Sequence, residues 1–308
     1  RQDSGTYHFQ TLALAVEPAI QTAFLQRIRN FLQEWTEQTE LTKSRRQPNR
    51  WEVRIQGRLT HALLFQSRAV SSPRQGSPGP KLALIIDDLG ERLDQAEKLH
   101  ALLGTGVTLS VLPFCTHTRE IAGFSRQVGM EIMLHVPMEP EGYPEVNPGP
   151  GCLFVDMSSE TIQEVFQRAR QQVPGVAGTN NHMGSRFTAD TRAMTGFLTS
   201  CRQQNLFFVD SLTTPRSKGT TVSARLGVPS LSRDIFIDNE QNVSAIIFQL
   251  QKAEQLARKI GTAVAIGHPY PETMAALEHW SQHRDPSVKL TNVSALLQDS
   301  ARPSKETP

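Results

Sequence analysis

The chain has 308 residues, 38% hydrophobic and 20% charged, enough apolar material for a sizeable core, which excludes a wholly disordered chain. Its 32 Lys+Arg against 30 Asp+Glu leave a formal charge of +2, a balance that calls for neither nucleic acid nor an anionic membrane as partner. No apolar run reaches the length of a transmembrane helix.

The chain begins at Arg1, compatible with earlier removal of a signal peptide or anchor. Residues 11–39 place Leu14, Ile20, Phe24, Leu25, Ile28, Phe31 and Leu32 at helical spacing, which predicts one amphipathic helix. Trp51–Gln56 alternates like a half-buried strand, Gly57 breaks it, and Leu59–Phe65 reads as its hairpin partner. Residues 1–70 are therefore expected to form a small α+β module, with little core of its own and a need to dock on something. The Pro-, Ser- and Gly-rich stretch 71–80 has no apolar periodicity and reads as a linker.

Beyond it the pattern changes. Short apolar runs recur at Leu82–Ile86, Val107–Leu112, Glu131–Leu134, Gly175–Gly178, Leu206–Val209, Val228–Leu231 and Ala263–Ile266. Helical periodicity fills 91–103, 117–128, 158–172, 189–204, 215–226 and 241–260. Strands alternating with helices over 81–298 imply an α/β fold with a parallel sheet covered by helices, either open and doubly wound or closed as a barrel. Residues 299–308 read as a disordered tail. The three cysteines, Cys115, Cys152 and Cys201, form no C-x-x-C pair and read as small apolar residues or spare thiols.

In parallel α/β folds the site is built at the C-terminal ends of the strands. There the sequence places Asp87-Asp88, His135, Asn180-Asn181-His182, Asp210-Ser211, Ser232-Arg233-Asp234 and His268. Adjacent carboxylates in one pocket repel, and a metal offsets them: one Asp ligates it while the other takes a proton from bound water. The alternative for the pair is capping of the next helix. His135 and His182, with Asp88, make two imidazoles and one carboxylate, a zinc-type set suited to hydrolysis. His268 reads as a fourth ligand or a general acid. Asp210 and the pair Arg233-Asp234 read either as groups that hold a histidine in one tautomer or as a structural salt bridge, and Asp210 is also a candidate catalytic residue, next in line as base after Asp87. The Pro- and Gly-rich segment 136–151, with Tyr143, follows His135 and is placed to overhang the site. There is no phosphate-binding loop, no dinucleotide fingerprint and no G-x-S-x-G.

Five motifs in order, Leu82–Gly90, Leu134–Pro140, Asn181-His182-Met183-Gly184-Ser185, Val209-Asp210-Ser211 and Gly267-His268-Pro269, give the chain a resemblance to the divergent polysaccharide deacetylase family. The resemblance runs from about residue 80 to 295 and leaves residues 1–70 outside. It implies a distorted seven-stranded (β/α) barrel, a divalent metal such as zinc, a glycan substrate from which N-acetyl groups are removed, and action in the periplasm or otherwise outside the cytoplasm. By that resemblance Asp87 is the general base, Asp88 a ligand and His268 the acid. Asn181, Ser185, Arg233, Asp234 and Tyr143 would support the site or the substrate. The wider superfamily carries two histidines one helical turn apart; here Arg186 stands four residues after His182, so the second imidazole is assigned to His135. The alternative is a non-catalytic, metal-containing envelope protein that binds a glycan or a partner.

Overall fold

The computed structural model describes residues 10–14, 25–26, 28–30, 32, 38–44, 47, 50–65 and 79–301. The chain divides into two compact units, Arg1–Ser77 and Pro78–Pro308. Most of the expected linker, residues 71–78, and residues 302–308 lie outside the described residues.

The first unit contains a four-stranded sheet in the order β1 (Gln10–Leu14), β4 (Arg58–Phe65), β3 (Arg50–Ile55), β2 (Thr39–Lys43). The hairpin β3–β4 turns through Gln56-Gly57, both at positive φ (52° and 74°), the backbone that a two-residue hairpin loop demands. Leu25, Leu41, Val53 and Leu63 form its small core, with Ile28, Leu32, Trp51 and Ile55 packed on it. One expectation is corrected: the start of the stretch read as a single helix, Gln10–Leu14, is a strand paired in parallel with β4. A short apolar run carries no period long enough to separate helix from strand, and here the ladder with β4 decides.

In the second unit all strand pairings are parallel, in the order β10 (Ser230–Ser232), β9 (Phe207–Asp210), β8 (Gly178–Met183), β7 (Glu131–Met138), β6 (Val107–Val111), β5 (Lys81–Leu89), β12 (Thr262–Gly267), β11 (Ile235–Phe236). The two ends of this order are consecutive in the chain. Ser230–Ser232 pairs with β9, Ile235–Phe236 pairs with β12, and the backbone changes partner between Arg233 N, which donates to Asp210, and Asp234 N, which donates to Val264. One chain segment therefore closes a ring of seven parallel strands, with helices outside. This is the distorted (β/α) barrel that the family resemblance implies, and it decides between the open and closed sheets that the sequence pattern left open.

Alternation along the strands sorts the side chains. Leu82, Leu84 and Ile86 join the larger core between sheet and helices, while Ala83, Ile85, Met133, Phe207, Val209, Val264 and Ile266 form a separate inner cluster. The helix Val293–Ala301 adds Val293 and Leu296 to that inner cluster. Its first amides, Val293 N and Ser294 N, donate to Glu131 at the start of β7 (2.8 and 3.2 Å), so an anion sits on the positive end of the helix. This plugs the N-terminal mouth and leaves the opposite mouth for chemistry. The helix also carries residues 299–301, expected in the disordered tail. β5, β7 and β8 run further than the apolar runs suggested, so Asp87-Asp88, His135 and His182 stand within the strands rather than in loops.

The opposite wall is tight at Gly178, where an added Cβ would lie 2.2 Å from the Phe207 ring on the neighbouring strand. Gly178→Ala is expected to lower unfolding free energy by about 1–3 kcal/mol in denaturant titrations, and Phe207→Leu in the same chain to recover part of the loss.

Candidate metal centre

Strand parity aims Asp87 inward with Ala83 and Ile85. By the same parity Asp88 would face the helices. The β5–β6 register shifts between Ile86 and Leu89, and Asp88 adopts a left-handed backbone (φ 57°). This bulge turns the second carboxylate to the barrel mouth as well, so two consecutive acids serve one site. Asp87 is buried, and Asp88 keeps partial exposure. His135 stands directly opposite Asn180 in the β7–β8 register, and His182 lies two residues beyond Asn180 on the same face.

Asp88 Oδ1 lies 2.8 Å from His182 Nδ1 and 3.1 Å from His135 Nε2, and the two ring nitrogens are 3.2 Å apart. These are the edges of a small triangle of three ligand atoms. An ion held tetrahedrally at about 2.0–2.1 Å spaces its ligands by about 3.3 Å, so the set is close to the size such an ion needs. Despite the short distances, no N–H is aimed at Asp88 Oδ1, which leaves a buried oxygen without a hydrogen-bond donor. An orphaned anionic oxygen flanked by two imidazole nitrogens fits a divalent cation.

The electrostatics agree. Burial would raise the Asp88 pKa, but the His135 and His182 rings beside it outweigh this and hold the carboxyl well below the usual carboxylate range. Burial would lower that of His135, yet the Asp87 and Asp88 carboxylates push it up to about 9. Without an ion, the His135 proton balances the two acids.

Beneath the triangle, Asn180 joins His135 Nδ1 (2.8 Å) to Asp87 Oδ1 (2.7 Å). Across it, His268 Nε2 stands 4.0 Å from Asp88 Oδ2. The His268 ring stacks on Phe236 (centroids 6.0 Å apart, 21° between planes), and its Nδ1 pairs with Asp238 Oδ1 at 3.0 Å. Asp238 is buried and also accepts from His268 N and Thr273 Oγ1. Burial would lower the His268 pKa, and the hydrogen bond and charge of Asp238, with Asp87 and Asp88 behind, raise it above its ordinary value.

Asp238 is the residue that sequence reasoning missed. The carboxylate on His268 is neither Asp210 nor Asp234, which were expected to hold a histidine. Asp210 accepts from Leu212 N (3.0 Å) and Ser217 Oγ (2.6 Å) and braces the loop after β9; burial raises its pKa. Asp234 accepts Val264 N (2.9 Å) where the closing segment changes partner. Arg233 donates to Ser211 O and Leu212 O and lies 3.9 Å over the Phe236 ring. Asn181 ties strand ends together through Ser211 N and Met183 O. Ser185 Oγ accepts Glu141 N, and Arg186 pairs with the buried Glu139 at 2.7 Å, so both hold the segment after β7. Tyr143 meets Phe154 edge to face (4.9 Å) in an open cleft of about 530 Å³ with Asn147, Gly151 and Arg168.

The mouth is also where the backbone is strained. Of the non-glycine residues at positive φ, Asp88, Phe114, Met183 and Leu212 all sit at strand ends, of β5, β6, β8 and β9. Phe114 and Leu212 are exposed there, as are Tyr143 and Val146 in the loop after β7.

The profile of the divergent polysaccharide deacetylase family matches residues 84–297. The chain is 33% identical over 231 residues to the uncharacterized protein YibQ of Escherichia coli K12, covering 75% of this chain and 70% of that one. It is 32% identical over 216 residues to an uncharacterized protein of Haemophilus influenzae, covering 70% and 76%. Among solved structures, the uncharacterized protein ATU2773 of Agrobacterium tumefaciens superposes with a TM-score of 0.67 at 26% identity, over 73% of this chain and 92% of that one.

Two outcomes follow from the electrostatics. His135 is protonated at neutral pH in the metal-free protein, so zinc binding should expel about one proton. Calorimetry in buffers of different ionisation enthalpy reads this directly, and zinc affinity should climb with pH until the His135 pKa is passed. Separately, Asp238→Asn removes the partner that raises the His268 pKa. The NMR titration of His268 should move down. The raised native pKa stabilises the fold below the unfolded pKa of about 6.5 and loses that effect as pH rises through the native value, so the variant's extra instability should be larger at acid pH than at alkaline pH.

Proposed function

The chain belongs to the divergent polysaccharide deacetylase family, and on that premise we propose that it is a metal-dependent hydrolase that removes N-acetyl groups from a glycan, acting in the periplasm or otherwise outside the cytoplasm. The observation that carries this reading is the convergence of Asp88, His135 and His182 around an unpaired carboxylate oxygen beside the buried Asp87. In this reading the three hold a divalent ion, zinc, which when bound supplies Lewis-acid polarisation of an amide carbonyl and a lowered water pKa.

The remaining work falls to the chain's own side chains. Asp87 is fixed by Asn180 and lies 3.7 Å from the His135 ring, so one oxygen is anchored below and the carboxylate is available as a proton acceptor at the mouth. His268 has Nδ1 engaged by Asp238, which leaves Nε2 facing the Asp88 side of the site. The raised pKa favours its charged form, the state needed to protonate a leaving amine. Acid and base thus flank the ligand triangle from β12 and β5. The exposed rings and aliphatic groups on the rim, Phe114, Tyr143 and Leu212, suit the apolar faces of sugar rings.

Acetate release from a panel of N-acetylated oligosaccharides tests the reading. Asp87→Asn should keep zinc and slow turnover by about 10²–10⁴-fold, the usual size of a general-base contribution. Asp88→Asn should lose zinc and activity together. If the zinc-loaded wild type releases no acetate across the panel, the barrel is a binding protein for glycan or partner instead.

A further inference from the structure

The polar group buried deepest under the candidate centre is the Asn180 amide, and it touches both halves of the site. It is fully buried. Its Oδ1 accepts from Ser110 Oγ (2.7 Å) and faces His135 Nδ1 (2.8 Å). Its Nδ2 donates to Asp87 Oδ1 (2.7 Å) and, more weakly, to Ser211 Oγ (3.4 Å). A primary amide has two acceptor and two donor positions, and all four are used.

The orientation of that amide is not free. Turned over, it would set its oxygen against the Asp87 carboxylate, two acceptors opposed in a dry interior, at the cost of a charge-assisted hydrogen bond. The Asp87 carboxylate and the Ser110 hydroxyl therefore fix Nδ2 toward Asp87 and Oδ1 toward His135. An oxygen at 2.8 Å requires a hydrogen on His135 Nδ1. In the neutral ring that a cation requires, the nitrogen left with a lone pair is Nε2, the one 3.1 Å from Asp88 Oδ1 and 3.2 Å from His182 Nδ1. We propose that Asn180 is a positioning residue: it links Asp87 to His135 across the β7–β8 pair and so fixes which ring nitrogen His135 offers to the cation. The proposal goes beyond the deacetylase reading and rests on it only in taking His135 as a ligand and Asp87 as the base.

The relay is also the reason the two groups keep a constant separation. His135 and Asn180 are directly opposed in the sheet register, so neither can shift without breaking the ladder. Ser110 on β6 and Ser211 after β9 close the network from both sides, and the base, the ligand and their spacer move as one piece.

The test uses the full chain with ¹⁵N-labelled histidine. The wild type should show a downfield, slowly exchanging Nδ1–H proton on His135 both with and without zinc. Asn180→Leu fills similar volume without polar atoms; it should lose that signal and bind zinc about 10–100-fold more weakly, the usual cost of removing a partner behind a metal-ligating histidine. Asn180→Asp keeps an acceptor for Nδ1–H and, with its other oxygen against Asp87, must share a proton with that carboxylate, which ties up the base. It should retain the signal and most of the zinc affinity, and lower kcat at nearly constant KM. A folded Asn180→Leu that keeps both signal and affinity overturns the proposal, as does an Asn180→Asp that loses the signal. If the wild type releases no acetate, the deacetylase reading fails while the proton signal and the zinc affinity still decide the relay.

Discussion

Two carboxylates on consecutive residues point at one spot at the mouth of the barrel, and their charge is the constraint on which the site depends. Close charges of like sign in a half-dry pocket raise each other's energy by several kcal/mol at an effective dielectric near 20. Asp87 and Asp88 can both stay ionised only with a counter-charge between them and the opposite wall. In the protein alone the His135 proton provides it, with His182 and His268 close by. A divalent ion at the same place would replace that proton and satisfy the Asp88 oxygen that no N–H reaches. Proton and metal are thus alternatives for one electrostatic task. The candidate centre is better described as a cation-requiring pocket than as a set of ligands that happen to meet.

The fold supports such a pocket by dividing rigid and strained parts. The seven strands are closed by a single segment, Ser230–Phe236, that pairs with β9 and then with β12. A helix plugs the far mouth, and the inner cluster fills the space beneath. Against this frame, the left-handed residues Asp88, Phe114, Met183 and Leu212 can be held in place at a cost of roughly 1–3 kcal/mol each. The bulge at Asp87-Asp88 is the most consequential of these, because strict strand alternation would have sent one carboxylate into the helix layer. Strain here changes which atoms face the site.

Much of this was legible in the sequence, and the failures are instructive. Apolar runs ending in Asp87-Asp88, His135, His182 and His268 marked the mouth because a parallel barrel gathers its strand ends. Asp238 was invisible for the opposite reason: it follows a strand, Ile235–Phe236, of two residues, too short to leave a period. Asp210 and Asp234 stood after better-marked runs, yet the chain spends them on its own backbone. Asn180 carried a usable signal. It has the same parity as His182, so it faces the interior, whereas Asn181 faces away and ties loops together. The N-terminal strand Gln10–Leu14 was lost to a helical pattern that begins only further along the chain.

Drawing the candidate ligands from β5, β7 and β8, with none from a helix, has a physical consequence of its own. Two histidines one turn apart on a helix keep their spacing through a single local element. His135 and His182 stand on neighbouring strands, and their spacing is set by the β7–β8 register, in which His135 faces Asn180 and Pro137 faces His182. A slip of one residue would turn every one of these side chains to the other face. Four residues after His182, Arg186 pairs with Glu139, whose backbone oxygen also receives the Arg186 and Phe187 amides. Glu139 in turn accepts Val155 N (2.7 Å) and fixes the far end of the loop after β7. With His135 and His182 on neighbouring strands, the candidate centre is a property of the sheet, while the segment after His182 anchors the loop that borders the mouth.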